Sequence, residues 1–273
     1  MTDRIRPPAV AGHFYPDDAG DLVAVVDECL AGVPDEARRC RGAIAPHAGL
    51  VYSGACAGHV FGRLAIPRTV VVIAPNHTGR CRSPGASLWR AGAFDTPLGA
   101  VPIDEVFAAA LEDACDLVAH DPVAHRDEHA IEVELPFLRR RASDAAIVPL
   151  VLAWDDWARS ERLAAALANV VRAAERDVLL VASSDMTHYE PAAGAERKDR
   201  QALAAIQALD GRGLLEACRR ERISMCGRAP AAVVVEAARR LGATQAEVVD
   251  YRHSGWVTGS DAEVVAYAGV LVA

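Results

Sequence analysis

Apolar runs that stop at Pro, Gly or Ser recur along this chain, and three of them finish on a histidine-bearing turn. They read Gly42-Ala-Ile-Ala-Pro-His47-Ala-Gly, Val70-Val-Val-Ile-Ala-Pro-Asn-His77-Thr-Gly and Val178-Leu-Leu-Val-Ala-Ser-Ser-Asp185-Met-Thr-His188. Short continuous apolar runs bounded by turn residues predict buried strands leaving a sheet. Residues 145–152 predict a further strand, where Pro149 points to an edge or a bulge because proline cannot donate to a ladder. A short strand over 86–90, a turn over 96–99 and two closing strands over 246–251 and 263–272 complete the set.

Helical periodicity fills the gaps between these runs. Asp17-Asp18 lead a helix over 22–30, and Ser53 offers a cap for a small-residue helix over 54–64. Further helices are expected over 103–111, 128–140, 154–174, 194–209, 212–221 and 231–241, the last with Pro230 at its start and Gly242 at its end. Strands alternating with helices predict an α/β fold with a mainly parallel central sheet and helices on both faces. No linker, repeat or low-complexity segment divides residues 1–273, so one domain is expected. In such sheets ligands bind beyond the carboxyl ends of the strands. Three metal-capable tips delivered there suggest one site.

Composition narrows the chemistry. A net charge of −8 without a basic stripe argues against a nucleic-acid partner. No apolar stretch approaches membrane-spanning length, and the start Met1-Thr-Asp-Arg-Ile-Arg-Pro-Pro lacks the apolar core of a signal peptide. Seven scattered cysteines without a CxxC pair fit a reducing compartment, so a cytoplasmic protein is expected. Lys198 is the only lysine, and no P-loop is present.

His47 and His77 each follow a proline at a strand end and precede a glycine within two residues, which places an imidazole on a rigid rim. Cys226 falls just before a predicted helix start, where free N–H groups and the helix dipole favour a thiolate, and Arg228 adds positive charge. His47, His77 and Cys226 together form a candidate metal site. It resembles the two-histidine, one-carboxylate triad with sulfur in place of the carboxylate, and thiolate softness also admits copper or zinc. Asp185 and His188 share one loop, where Asp185 can orient a neighbour and His188 can carry a proton. His129 and Glu132 lie one helical turn apart, a spacing that serves metal binding or, more simply, a solvated salt-bridge face. Tyr52 is near enough to the His47 turn to line a pocket. His13, His59, His120, His125 and His253 have no partner pattern and are read as structural or exposed.

Eight segments in order resemble the Memo family, whose bacterial members are called AmmeMemoRadiSam system protein B. They are Arg6-Pro-Pro-Ala-Val-Ala-Gly-His-Phe-Tyr-Pro16, Pro46-His-Ala-Gly-Leu-Val-Tyr-Ser-Gly54, Ala74-Pro-Asn-His-Thr-Gly79 and Thr96-Pro-Leu-Gly99, then Glu128-His-Ala-Ile-Glu-Val-Glu-Leu-Pro-Phe137, Ser183-Ser-Asp-Met-Thr-His188, Met225-Cys-Gly-Arg228 and Tyr251-Arg-His-Ser-Gly255. The resemblance spans essentially the whole chain. It implies a fold like that of class III extradiol ring-cleavage dioxygenases, which use non-heme iron(II). It also implies a metal pocket at His47, His77 and Cys226, with Asp185 and His188 beside it and His129 as a supporting histidine. The dioxygenases carry a carboxylate where this chain has Cys226, so ring cleavage does not follow from the likeness. A functional link to a radical-SAM protein is part of what the bacterial relatives suggest.

These observations lead to a metal-dependent oxidoreductase acting on an unidentified small molecule or peptide, with iron(II) as the first candidate metal and copper or zinc as alternatives. Two other readings compete. One is a non-catalytic metal carrier or protein-interaction scaffold. The other is a hydrolase using Cys226 as nucleophile or zinc to activate water.

Overall fold

The computed structural model describes residues 4–34, 37–82 and 85–273; residues 1–3, at the head of the segment expected to lack a signal peptide, lie outside it. In chain order the elements are β1 (Ile5–Arg6), α1 (Ala19–Leu30), β2 (Gly42–Ala45), α2 (Leu50–Phe61), β3 (Thr69–Pro75), β4 (Ala86–Leu88), β5 (Ala93–Phe94) and β6 (Val101–Pro102). There follow α3 (Glu105–Ala114), β7 (Val118–His120), α4 (Leu135–Arg141), β8 (Ala146–Leu152), α5 (Trp157–Ala173), β9 (Val178–Ser183) and β10 (His188–Glu190). The chain closes with α6 (Ala192–Gln207), α7 (Gly211–Glu221), α8 (Arg228–Arg240), β11 (Ala246–His253), α9 (Gly255–Thr258) and β12 (Val264–Val272).

A nine-stranded sheet runs β10-β12-β2-β9-β3-β8-β4-β7, with β11 also paired to β12. Its centre, β2-β9-β3-β8, is parallel. Its flanks are not: β12 is antiparallel to β2, β10 and β11, and β4 is antiparallel to β8. The α/β expectation therefore stands, with a mixed sheet around a parallel core. All seven residues of β3 are buried, as a strand covered on both faces requires. Helices α1, α2 and α4 pack together on one face, and α5, α7 and α8 on the other. No helix among the described residues is long and apolar enough to cross a membrane.

Local departures from the sequence pattern have physical causes. Helix α2 begins at Leu50 rather than after Ser53, whose hydroxyl instead donates to the Ala48 carbonyl at 2.8 Å. It crosses α1 very closely: a Cβ on Gly58 would lie 1.9 Å from the Cys29 carbonyl oxygen, and one on Gly54 would lie 2.6 Å from Cys29 Sγ. Pro149 sits inside the sheet, paired with Val72, and not on an edge. The registered pairs with β4 end at Leu150, and Pro149 contributes only its carbonyl, which accepts the Trp89 N–H at 3.4 Å, so the missing N–H costs one bond at the end of that ladder. Helix α5 starts at Trp157, because Asp156 caps it by accepting from Arg159 N–H.

The predicted helix over 128–140 is the largest difference. Only 135–141 is α-helical, after a 3-10 turn over Glu132–Glu134. Residues 128–131 turn instead: the Glu128 carboxylate is taken by His77 and its carbonyl by Arg6. Glu132 is fully buried rather than on a solvated face: its carboxylate pairs with the buried Arg6 and accepts from Tyr15 Oη at 2.5 Å, Ala9 N–H at 2.8 Å and Val10 N–H at 3.0 Å. Arg6 also donates to the carbonyls of His125 at 3.0 Å and Glu128 at 2.5 Å. The N-terminal segment is thereby tied to the turn that carries His129.

Candidate metal centre

The parallel register decides what meets at the carboxyl edge. Ala45 of β2 lies opposite Ser183 of β9, and Ile73 of β3 lies opposite Ala182. His47, His77 and Asp185 each follow two residues beyond a strand end, so they emerge side by side. Asp185 Oδ1 accepts from the backbone N–H of His47 at 2.9 Å and of Ala48 at 3.3 Å, which fixes the His47 turn. Burial pushes the Asp185 carboxyl up to about 6, against the lowering effect of those two donors.

Three imidazoles converge here. His47, His77 and His129 each offer one ring nitrogen within 4.8 Å of the others. Their ring centroids are 5.1 Å apart for His47 and His77, 5.4 Å for His47 and His129, and 4.7 Å for the stacked pair His77 and His129. Among the described residues this is the one such group. His129, expected as a supporting residue, thus stands in the cluster itself.

Cys226, expected as the third ligand, is not one of the three residues of this group; it lies beside it just before α8, with Sγ 3.3 Å from His47 Nε2. The helix start does not yield a thiolate. Burial pushes the thiol up to about 12, and the Asp185 charge adds to that. The protonated thiol is a poor nucleophile at neutral pH.

Each of the two strand-tip histidines is held from behind. His77 Nδ1 lies 2.8 Å from Glu128 Oε1, while Glu128 Oε2 accepts the His77 backbone N–H at 2.7 Å. Burial would pull His77 down, but the hydrogen bond and charge of Glu128 outweigh it and raise the imidazole. Burial likewise opposes ionisation of Glu128, yet the His77 hydrogen bond and charge hold its carboxyl below the usual range. His47 Nδ1 lies 2.8 Å from Ser183 Oγ. Burial, followed by the charges of His77 and His129, drives His47 well below the ordinary histidine value. His129 is lowered mainly by burial. Nδ1 tied to an acceptor with Nε2 turned to a neighbouring donor group is the arrangement of metal-binding histidines.

The remaining sequence candidates fall around this cluster. His188, on β10, is anchored by its N–H to Ser224 Oγ at 2.8 Å and by Nδ1 to the Ser224 carbonyl at 3.1 Å. Its ring is near enough that a proton on it would lower both His47 and Asp185. Arg228 donates to Asp155 at 2.6 Å and, with Cys226, Asn76, Trp154 and Arg159, lines an open cavity of about 660 Å³. Tyr52 lies elsewhere: it lines a neighbouring groove with Phe14 and Arg252. Phe14 touches the cluster from there, its ring 4.9 Å from that of His129. Sequence patterns gave no role to Glu128, Ser183 or Glu134. The adjacency of Glu128 to His129 and of Ser183 to the Asp185 loop was the available signal.

An α/β protein whose parallel strands deliver histidines, and whose helix start delivers a cysteine, to one edge of the sheet defines a class by geometry. Residues 6–271 match the family described as Memo-like protein, and the chain belongs to that family. A MEMO1 family protein of Methanopyrus kandleri is 38% identical over 97% of this chain and 98% of its own. Relatives of the same name in Methanosarcina barkeri and Aquifex aeolicus are each 39% identical, covering 98% of this chain and 100% and 99% of theirs. A solved structure of an uncharacterized protein from Escherichia coli K12 superposes with a TM-score of 0.54 at 16% identity, covering 84% of this chain and 99% of that one. That likeness speaks to the fold.

Proposed function

We propose that this Memo-family protein binds a redox-active metal, iron(II) first and copper second, and acts as an oxidoreductase on an organic substrate. The observation that carries the proposal is the convergence of His47, His77 and His129 nitrogens within 4.8 Å, with Cys226 Sγ 3.3 Å from His47 Nε2. The donor set fits such a metal: neutral imidazoles and one sulfur suit iron, copper or zinc. When bound, the metal would supply electron transfer and Lewis acidity.

The residues of the chain divide the remaining work. Glu128 and Ser183 hold the Nδ1 side of His77 and His47 and turn Nε2 to the site. Cys226, whose Sγ lies 3.3 Å from His47 Nε2 and 3.7 Å from the Asp185 carbonyl oxygen, would give up its thiol proton on ligation. Asp185 fixes the His47 turn through two backbone N–H groups. His188, anchored on Ser224, is placed to hold or move a proton. The cavity beside Cys226 offers room for a substrate, and its polar lining pairs Arg228 with Asp155 and Arg159 with Asp156.

The test is oxygen consumption by iron-loaded protein across a panel of reduced organic acids, compared with zinc-loaded protein. Turnover with iron alone supports the oxidoreductase. A tightly held iron that leaves oxygen uptake at the background rate for every compound would replace it with a metal carrier.

A further inference from the structure

Ser183 Oγ makes three short contacts with a single hydrogen to give. It lies 2.6 Å from the Ala130 carbonyl oxygen, 2.8 Å from His47 Nδ1 and 2.9 Å from Glu134 Oε1. A carbonyl oxygen only accepts, so the hydroxyl hydrogen is committed to Ala130. The other two partners must then each bring a hydrogen of their own. His47 therefore carries its proton on Nδ1, and Glu134 carries one on Oε1. With a single proton on the neutral ring, Nε2 accepts the Cys226 thiol hydrogen at 3.3 Å, and the longer 3.7 Å contact of that thiol with the Asp185 carbonyl is left without a hydrogen.

The surroundings of Glu134 agree with this count. The side chain is fully buried, and its Oε2 has no hydrogen-bond partner among the described residues. An ionised carboxylate there would leave a buried charge half satisfied, a heavy cost, whereas an unpartnered carbonyl-type oxygen of a neutral acid costs far less. The charge of the buried Asp185 also favours the neutral form.

We infer that Glu134 is a positioning residue: a neutral carboxylic acid that donates to Ser183 and, through it, holds His47 as the Nδ1–H tautomer, with its unprotonated Nε2 turned to the Cys226 thiol. This sets His47 apart from His77. The latter leans on an ionised carboxylate, Glu128, and so is the more electron-rich donor. The two strand-tip histidines thus present unequal nitrogens to whatever occupies the site. The inference concerns the metal-free chain, so it stands or falls separately from the redox reading above.

The test uses metal-free full-length protein. Nitrogen-15 NMR of labelled histidine, with His47 assigned by loss of its signal in His47→Gln, should find His47 as Nδ1–H in the wild type and in Glu134→Gln, whose amide can still donate to Ser183. In Ser183→Ala the His47 tautomers should mix. Infrared difference spectra between wild type and Glu134→Gln at neutral pH should contain the band of a protonated carboxyl. Titration with cobalt(II) adds a functional readout: removing such a supporting group typically weakens metal affinity about 10–100-fold, expected for Ser183→Ala, with a smaller loss for Glu134→Leu and about threefold or less for Glu134→Gln. A carboxylate band in place of the protonated one, or an Nε2–H tautomer for His47 in the wild type, would overturn the inference. So would equal cobalt affinity in Glu134→Gln and Glu134→Leu.

Discussion

Glu128 grips His77 twice: Oε1 lies 2.8 Å from the imidazole Nδ1 and Oε2 accepts the backbone N–H at 2.7 Å. The same carboxylate also lies 3.5 Å from His129 Nδ1. One acidic side chain thereby steers two of the three clustered imidazoles. Glu128→Ala should weaken binding of cobalt(II) about 10–100-fold, with Glu128→Gln between the two because it keeps one acceptor. Equal affinities in wild type and Glu128→Ala, measured by direct titration, would remove Glu128 from the site.

The buried Arg6–Glu132 pair is a second lever. Removing one partner strands the other charge, and Glu132→Ala should cost about 3–5 kcal/mol of stability by denaturant unfolding. Replacing both, as Arg6→Met with Glu132→Leu, should cost less than the sum of the single changes. Because Arg6 also holds the carbonyls of His125 and Glu128, Arg6→Met should loosen the 128–131 turn, read as faster amide exchange at Ala130. Exchange unchanged from wild type would show that the turn is held by other means.

Much of this was readable from sequence, for a local reason. Strands β2, β3 and β9 are continuous apolar runs, and their Pro-His and Ser-Asp endings lie next to them in the chain. The turn at 128–131 was not readable, because what breaks the helix there is Arg6, more than 120 residues away. Spacing made His129 and Glu132 look like neighbours on a solvated face, yet one lies in the histidine cluster and the other is fully buried. Nor could composition tell that burial would overcome the helix start at Cys226. Pro149 misled because its tolerance depends on where the β4 partner ends.

The α1–α2 crossing tests packing alone. Gly58→Ala would force a methyl to within 1.9 Å of the Cys29 carbonyl, so α1 must shift. Overpacking of this kind costs about 1–3 kcal/mol, which calorimetry would register as a lowered Tm. An unchanged Tm would mean that α1 is free to move away at no cost.

The neutral Glu134 carries a signature in stability against pH. Its folded-state value is raised by burial, with the nearby Asp185 charge acting in the same direction, so the folded chain holds a proton that the unfolded chain releases above about pH 4.3. Stability from this group is complete below that value and falls as pH rises toward the folded one, by about 1.4 kcal/mol per pH unit. Glu134→Gln does not titrate. Its stability relative to wild type should therefore climb between pH 5 and pH 8, read from urea unfolding at each pH. A flat or falling difference would mean that Glu134 ionises in the folded protein.

A single metal site built from His47, His77 and His129 with Cys226 beside them is what the proposed function requires. The most direct measurement is the metal content of protein purified without oxygen, in wild type and in His47→Ala, His77→Ala, His129→Ala and Cys226→Ser. Close to one metal ion per chain is expected in the wild type and a large loss in each histidine variant, with Cys226→Ser also reduced. The same low, substoichiometric metal in wild type and all four variants would contradict it.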